Sequence, residues 1–183
     1  MATPPDFVSG AVLEAAQLNK IGLWLIKTQT IGTAQSSVAV TSAFSADYDN
    51  YLVTLTGGSC SASTYIALSL GSTATGYYFG ANGVRWDTGA ATSVFGSNQT
   101  SFTNAMYGNT DTTFGYVILQ NPFNTKRTGM LQQTNLNVTT GVGPLVGGGY
   151  LNDNTSYTAF TLTTVTALST MTGGTIRVYG YRD

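Results

Sequence analysis

The sequence predicts an all-β protein, an antiparallel β-sandwich or jelly roll with a short N-terminal arm and helix. Three observations carry this: apolar and polar residues alternate in short segments, Gly, Asn, Ser and Thr separate those segments, and no second helical pattern follows residue 22. At 183 residues the chain has the size of one domain with one core. The expected division is an arm and helix over 1–22 and a β-sandwich domain over 23–183.

The arm comes first because Pro4 and Pro5 fix φ, lack N–H groups and oppose a helix running through them. From Ser9, a suitable N-cap, the run AVLEAAQLNKIG places Val12, Ala15, Ala16 and Asn19 at helical spacing, with Gly22 as a C-terminal stop. About three turns of helix are marginal alone in water, so this helix needs a partner surface. The period then changes to two. In Asn50–Thr56, Tyr51, Val53 and Leu55 face opposite to Leu52; in Thr64–Leu70, Ile66, Leu68 and Leu70 face opposite to Tyr65, Ala67 and Ser69. These two segments read as a pair joined through GGSCSAS as a hairpin or bulged loop. Further strands are expected at Leu23–Ile31, Ser37–Val40, Ser101–Met106, Phe114–Gln120, Gly129–Leu136, Thr158–Thr166 and Thr175–Tyr181, about nine in all. GANG, TGA, GNTD, NPFN, VGGG and NDN read as the turns between them.

Composition restricts the chemistry. Charged residues make up 8% of the chain, against about 25% in an ordinary soluble domain, so its surface must be built from hydroxyls, amides and backbone. Seven Lys and Arg against eight Asp and Glu, without a cluster, give no footprint for nucleic acid. The absence of His removes Ser-His-Asp and Cys-His nucleophiles and histidine metal sites. Cys60 is the single cysteine, so no intrachain disulfide or CxxC metal site can form. The apolar run Ile21–Ile26 is far short of the ~20 residues a membrane helix needs. MATPPDF has neither the positive charge nor the apolar core of a signal peptide, so no export by that route is expected.

No catalytic, cofactor or metal site is expected. Asp47 and Asp49 are close enough to share a cation or act as acid and base, but a turn before a strand accounts for them, and the same holds for Asn152, Asp153 and Asn154. Gly147, Gly148 and Gly149 lack the Lys-Ser/Thr of a phosphate loop and read as a flexible turn. Glu14, Asp87 and Asp111 cannot be assigned to the paired carboxyls of a glycosidase from sequence, and Cys60 has no His to activate it. The Asn-x-Ser/Thr triplets at Asn98, Asn137 and Asn154 carry no weight in so Thr-rich a chain.

The 11 Tyr, 8 Phe and 2 Trp exceed what one modest core must hide. Tyr77, Tyr78 and Phe79 read as a Gly-bounded loop, Trp86 lies between Arg85 and Asp87, and Tyr107, Tyr150 and Tyr157 adjoin turns. Rings offered from loops beside amides suit sugar recognition, so Tyr77, Tyr78, Trp86 and Tyr107 are the candidate glycan or host contacts; packing in the core or between subunits is the alternative. Few charges also mean little self-repulsion and poorly guarded strand edges, which favours a homo-oligomer.

The opening PPDFVSGAVLEAAQLNKIG resembles an F-x-x-G-x-x-L-x-A-A-x-L-N phrase of tailed-bacteriophage virion proteins, carried here by Phe7, Gly10, Leu13, Ala15, Ala16, Leu18 and Asn19. Ser42–Leu55 and Gly173–Asp183 are similar to the β-rich domains of phage minor tail, tail-fibre and head-fibre proteins. The resemblance implies a non-enzymatic virion component, often trimeric. Its N-terminus would dock on other virion proteins through Phe7, Val12, Leu13, Ala16, Leu18 and Ile21, and its β domain would project toward a host surface. A compact tail appendage is the first expectation, a capsid-decoration or head-fibre protein or a carbohydrate-binding module the alternative; the chain has neither the coiled-coil shaft of a long fibre nor the length of a depolymerising tailspike.

Overall fold

The computed structural model describes residues 22–135 and 142–181, and the arm and helix expected over 1–22 fall outside them except for Gly22. Within the described residues the chain is all-β and antiparallel. Its strands are β1 Leu23–Thr30, β2 Ser37–Val40, β3 Asn50–Thr56, β4 Ser59–Cys60, β5 Thr64–Leu70, β6 Tyr77–Arg85 and β7 Ala91–Gln99. There follow β8 Phe102–Gly108, β9 Thr113–Gln120, β10 Thr128–Asn135, β11 Val142–Leu151, β12 Phe160–Thr164, β13 Met171–Thr172 and β14 Thr175–Tyr181.

Hydrogen bonding links the strands in the order β1-β14-β3-β9-β10-β11-β6-β7 on one side and β2-β12-β5-β8 on the other, while β4 and β13 pair separately. The two runs meet at β9. One edge of β9 carries β3; the other meets β8 through Phe114↔Tyr107 and Thr113↔Gly108, then β10 from Tyr116 onward. At this fork Gly115 has φ 155°, and a Cβ there would lie 3.0 Å from Met106, so the switch of partner is made where only glycine fits. The arrangement is consistent with a β-sandwich.

Alternation builds the core. Tyr51, Val53 and Leu55 of β3, Val117 and Leu119 of β9, and Ile176 and Val178 of β14 are buried in one cluster with Ile66, Leu68 and Leu70 of β5, Phe102 and Met106 of β8, and Phe160 and Leu162 of β12. Phe44, from the segment between β2 and β3, sits edge-on to Tyr51 at 4.8 Å and stacks on Phe160 at 5.7 Å, tying the two runs together at one end. Tyr77 ties them elsewhere. Its ring meets Phe102 at 4.9 Å, and its hydroxyl accepts from the Leu70 N–H at 2.8 Å and donates to the Thr73 carbonyl at 3.2 Å.

Four of the expected strands coincide with observed ones (β2, β3, β5 and β14), and five others differ by up to two residues at an end. The expected pairing of Asn50–Thr56 with Thr64–Leu70 is overturned. β3 lies between β14 and β9, and β5 between β12 and β8, because each strand is central and the GGSCSAS link crosses from one run to the other, contributing β4 on the way.

Five strands were not expected, the two-residue β4 and β13 and three longer ones. Tyr77, Tyr78 and Phe79 begin β6 instead of forming a loop, the segment Ala91–Gln99 is β7, and Gly147, Gly148 and Gly149 lie inside β11 instead of forming a turn. The glycines of β11 answer a close approach: a Cβ on Gly147 would run into the Gly80 carbonyl and Ala81, and one on Gly149 into the Tyr78 carbonyl and Phe79. Gly149→Val should therefore destabilise the fold by about 1–3 kcal/mol. Gly80→Ala, whose Cβ would meet nothing nearer than 4.0 Å, should be neutral or gain up to about 1 kcal/mol. Urea unfolding of the two variants checks the contrast.

Candidate binding surfaces

The alternation that fills the core also fixes what the longer run shows on its other side. Register places Leu25, Tyr179, Leu52, Ile118, Leu131, Gly148, Gly80 and Phe95 directly opposite one another in a single row from β1 to β7. Leu25, Leu131 and Phe95 are exposed, as are Val146, Tyr116 and Tyr150 in the flanking rows. Arg177 is the one charged residue at the outward positions of these strands among the described residues. Arg127 stands at the rim, 5.7 Å over the Tyr150 ring, which in turn stacks on Tyr78 at 5.2 Å. A broad, almost uncharged apolar face of this kind has the composition of an interface core.

The four aromatic candidates do not converge. Tyr77 is 0% exposed and its hydroxyl is pushed up to about 12, chiefly by burial, so it is a core residue and not a surface contact. Tyr78 begins β6 on the outward face, whereas Trp86 follows its far end, roughly 25 Å away at the rise of a strand. Trp86 is 53% exposed and projects over Gly143 beside the Arg85–Asp87 ion pair at 2.7 Å. Tyr107 packs edge-on against Tyr65 at 5.6 Å, in a second small cluster with Ala81, Leu145 and Val94. The anchoring candidates Phe7, Val12, Leu13, Ala16, Leu18 and Ile21 lie outside the described residues.

Sequence reasoning missed a depression of about 270 Å³ lined by Tyr65, Phe79, Val94, Phe95, Gln99, Thr103 and Asn104. Asn104 is 3% exposed, and its Nδ2 has no hydrogen-bond partner among the described residues. Leaving a buried amide donor unpaired costs about 1–3 kcal/mol, so the position is one where folding is compromised. On β10, the buried Gln132 and Thr128 also carry unpaired side-chain atoms. A second depression of about 280 Å³, between Thr54, Thr56, Phe114, Tyr116 and Gln133, opens on the outward face.

The acids serve local structure. Asp47 accepts from the Ser45 hydroxyl at 3.0 Å and Asp49 from the Asn124 amide at 2.8 Å, so the two carboxyls are engaged separately. Asp153 accepts from the Thr155 N–H at 2.7 Å, the Thr155 hydroxyl at 2.6 Å and the Tyr157 hydroxyl at 2.8 Å. No group of three or more Cys, Asp or Glu side chains suited to a metal ion occurs among the described residues. Cys60 is buried on β4, and that burial pushes its thiol up to about 11.

Hydrogen bonds from Thr155, then from Tyr157, hold the Asp153 carboxyl below its ordinary value. A depressed folded-state pKa contributes stability above the unfolded value of about 3.9 that is lost as pH falls through the folded one. Asp153→Ala should accordingly unfold more easily than the parent at neutral pH, and the difference should narrow in acid; thermal melts across pH check it. Set against family models, curated proteins and solved structures, the chain finds no match in any of the three comparisons.

Proposed function

We propose that the protein is a non-enzymatic virion structural protein, a compact tail appendage whose N-terminal segment docks on other virion proteins while its β domain takes part in assembly and host attachment. The observation that supports this best is the outward face of the long run: a row of apolar residues across the strands from β1 to β7 with Arg177 as its sole outward-pointing charge among the described residues. Such a face suits burial against neighbours better than exposure to water. The proposal includes a jelly-roll assignment of the sandwich, the N-terminal helix, a homo-oligomer with the trimer that the sequence resemblance favours, and assembly into the particle from the host cytoplasm. A capsid-decoration or head-fibre role is the alternative site on the same particle.

Deleting residues 1–22 should leave a folded β domain that no longer enters particles. Normal incorporation of the truncated chain would place the anchor elsewhere. Leu131→Asp, on the exposed row, should leave the fold intact and weaken association with neighbours, which sedimentation of the purified protein measures.

A second reading, a carbohydrate-binding module, is favoured by one feature. The depression beside Asn104 combines the rings of Tyr65 and Phe79 with the side chains of Gln99 and Thr103, carries no charge, and falls just below the ~300–1,000 Å³ usual for ligand sites. Aromatic faces for C–H groups and amides for hydroxyls match a neutral sugar ring. Titration with a hexose and an N-acetylhexosamine should shift the side-chain amide resonances of the protein. Asn104→Leu should abolish the shift while raising the unfolding midpoint, because it removes an unpaired buried donor. No shift with either sugar removes this reading.

A further inference from the structure

The hydrogen-bonded strands end at three edges, and they are not equally protected. β2 has four residues, and its carbonyl side is covered by β1: the Gln29 amide donates to the Ala39 carbonyl at 3.0 Å, and the Lys27 ammonium to the Thr41 carbonyl at 2.6 Å. β1 carries that lysine and a register shift between Leu25 and Lys27, two features that discourage further pairing. β7 has no such residue, and its register is unbroken from Ala91 to Gly96. Its nine residues, ATSVFGSNQ, contain no charge and no proline, and it pairs with β6 alone. Outside that ladder no backbone–backbone hydrogen bond is made by Ala91–Gln99 among the described residues; the Ser97 carbonyl accepts from the Gln99 side-chain amide at 3.0 Å.

We propose that β7 is the contact through which a second copy of this chain joins, the two strands pairing antiparallel about a two-fold axis at Phe95. Phe95 is the central residue of β7, so this register sets Val94 against Gly96 of the second copy on either side of the axis, and the pairing ends at the register shift that follows Gly96. Each pair comes from one face of the sheet, so inward residues meet inward ones and outward meet outward. No like charges are brought together. Phe95 itself is 85% exposed, and its cross-strand neighbour Gly80 has no side chain to cover it. Two such rings meeting across the axis form the aromatic cross-strand pair that stabilises antiparallel sheets.

A two-fold contact needs only one self-complementary surface, which this edge supplies, whereas a foreign strand would have to match a register the chain already matches with itself. The contact joins copies in pairs and so differs from the trimer implied by the sequence resemblance. It depends on nothing in the virion reading and stands or falls separately from particle incorporation.

Sedimentation velocity of the full chain should show a concentration-dependent dimer. Phe95→Lys and Phe95→Glu should each remain folded and weaken dimerisation roughly tenfold or more, because like charges then face each other across the axis; an equal mixture of the two should restore it. Phe95→Cys should form a disulfide-linked dimer under mild oxidation, since opposed residues in antiparallel strands lie about 4.5–5.5 Å apart, within disulfide reach. The buried Cys60 should leave the parent chain uncrosslinked under the same conditions. A chain that stays monomeric at every concentration reached, or a dimer unchanged in both charged variants, overturns the proposal.

Discussion

Burial of the inward side chains of β3, β9 and β14 with those of β5, β8 and β12 is the interaction on which the rest of the structure depends. With a single buried cysteine, and with the Arg85–Asp87 ion pair exposed to water, the described residues are held by apolar contact and backbone pairing. The fork at β9 makes that burial possible. By giving β8 and then β10 the same edge, β9 sends the chain into two runs whose apolar faces meet, with Gly115 at the point of change.

Because strands have a period of two, filling one face commits every second residue to the other. In a chain with so few charges those residues are Thr, Ser, Tyr, Leu and Phe, and the longer run therefore presents an apolar row and ends at β7 in an edge without charge. Ordinary soluble sheets avoid both features with charged side chains. Their joint presence supports assembly over catalysis, as does the use of Asp47, Asp49 and Asp153 in local hydrogen bonds.

Strands with clean alternation were legible in the sequence. NYLVTLT and TIRVYGY could be read residue by residue, and the buried positions of β3 are those the alternation predicts. VGPLVGGGYL could not, because the glycines that let β11 lie close to β6 are the residues that elsewhere mark turns. β6 was hidden in the same way by Gly76, Gly80 and Gly83. Pairing was less legible than existence: nothing local tells β3 that its partners are β14 and β9, since that choice is made by the whole core.

The aromatic residues show the same limit. Their number marked them as unusual, but Tyr77 went to the core, Tyr107 to a contact with Tyr65, and Trp86 and Tyr78 to opposite ends of one strand. The Asn104 depression was not legible, because Tyr65, Phe79, Gln99 and Asn104 come together only after β5, β6, β7 and β8 are placed. The central claim is that copies associate through uncharged apolar surface, and the response of self-association to salt tests it most directly. Sedimentation across a sodium sulfate series should show association maintained or strengthened, as for buried apolar surface; association that weakens steadily with ionic strength would reveal a charged interface and contradict the account.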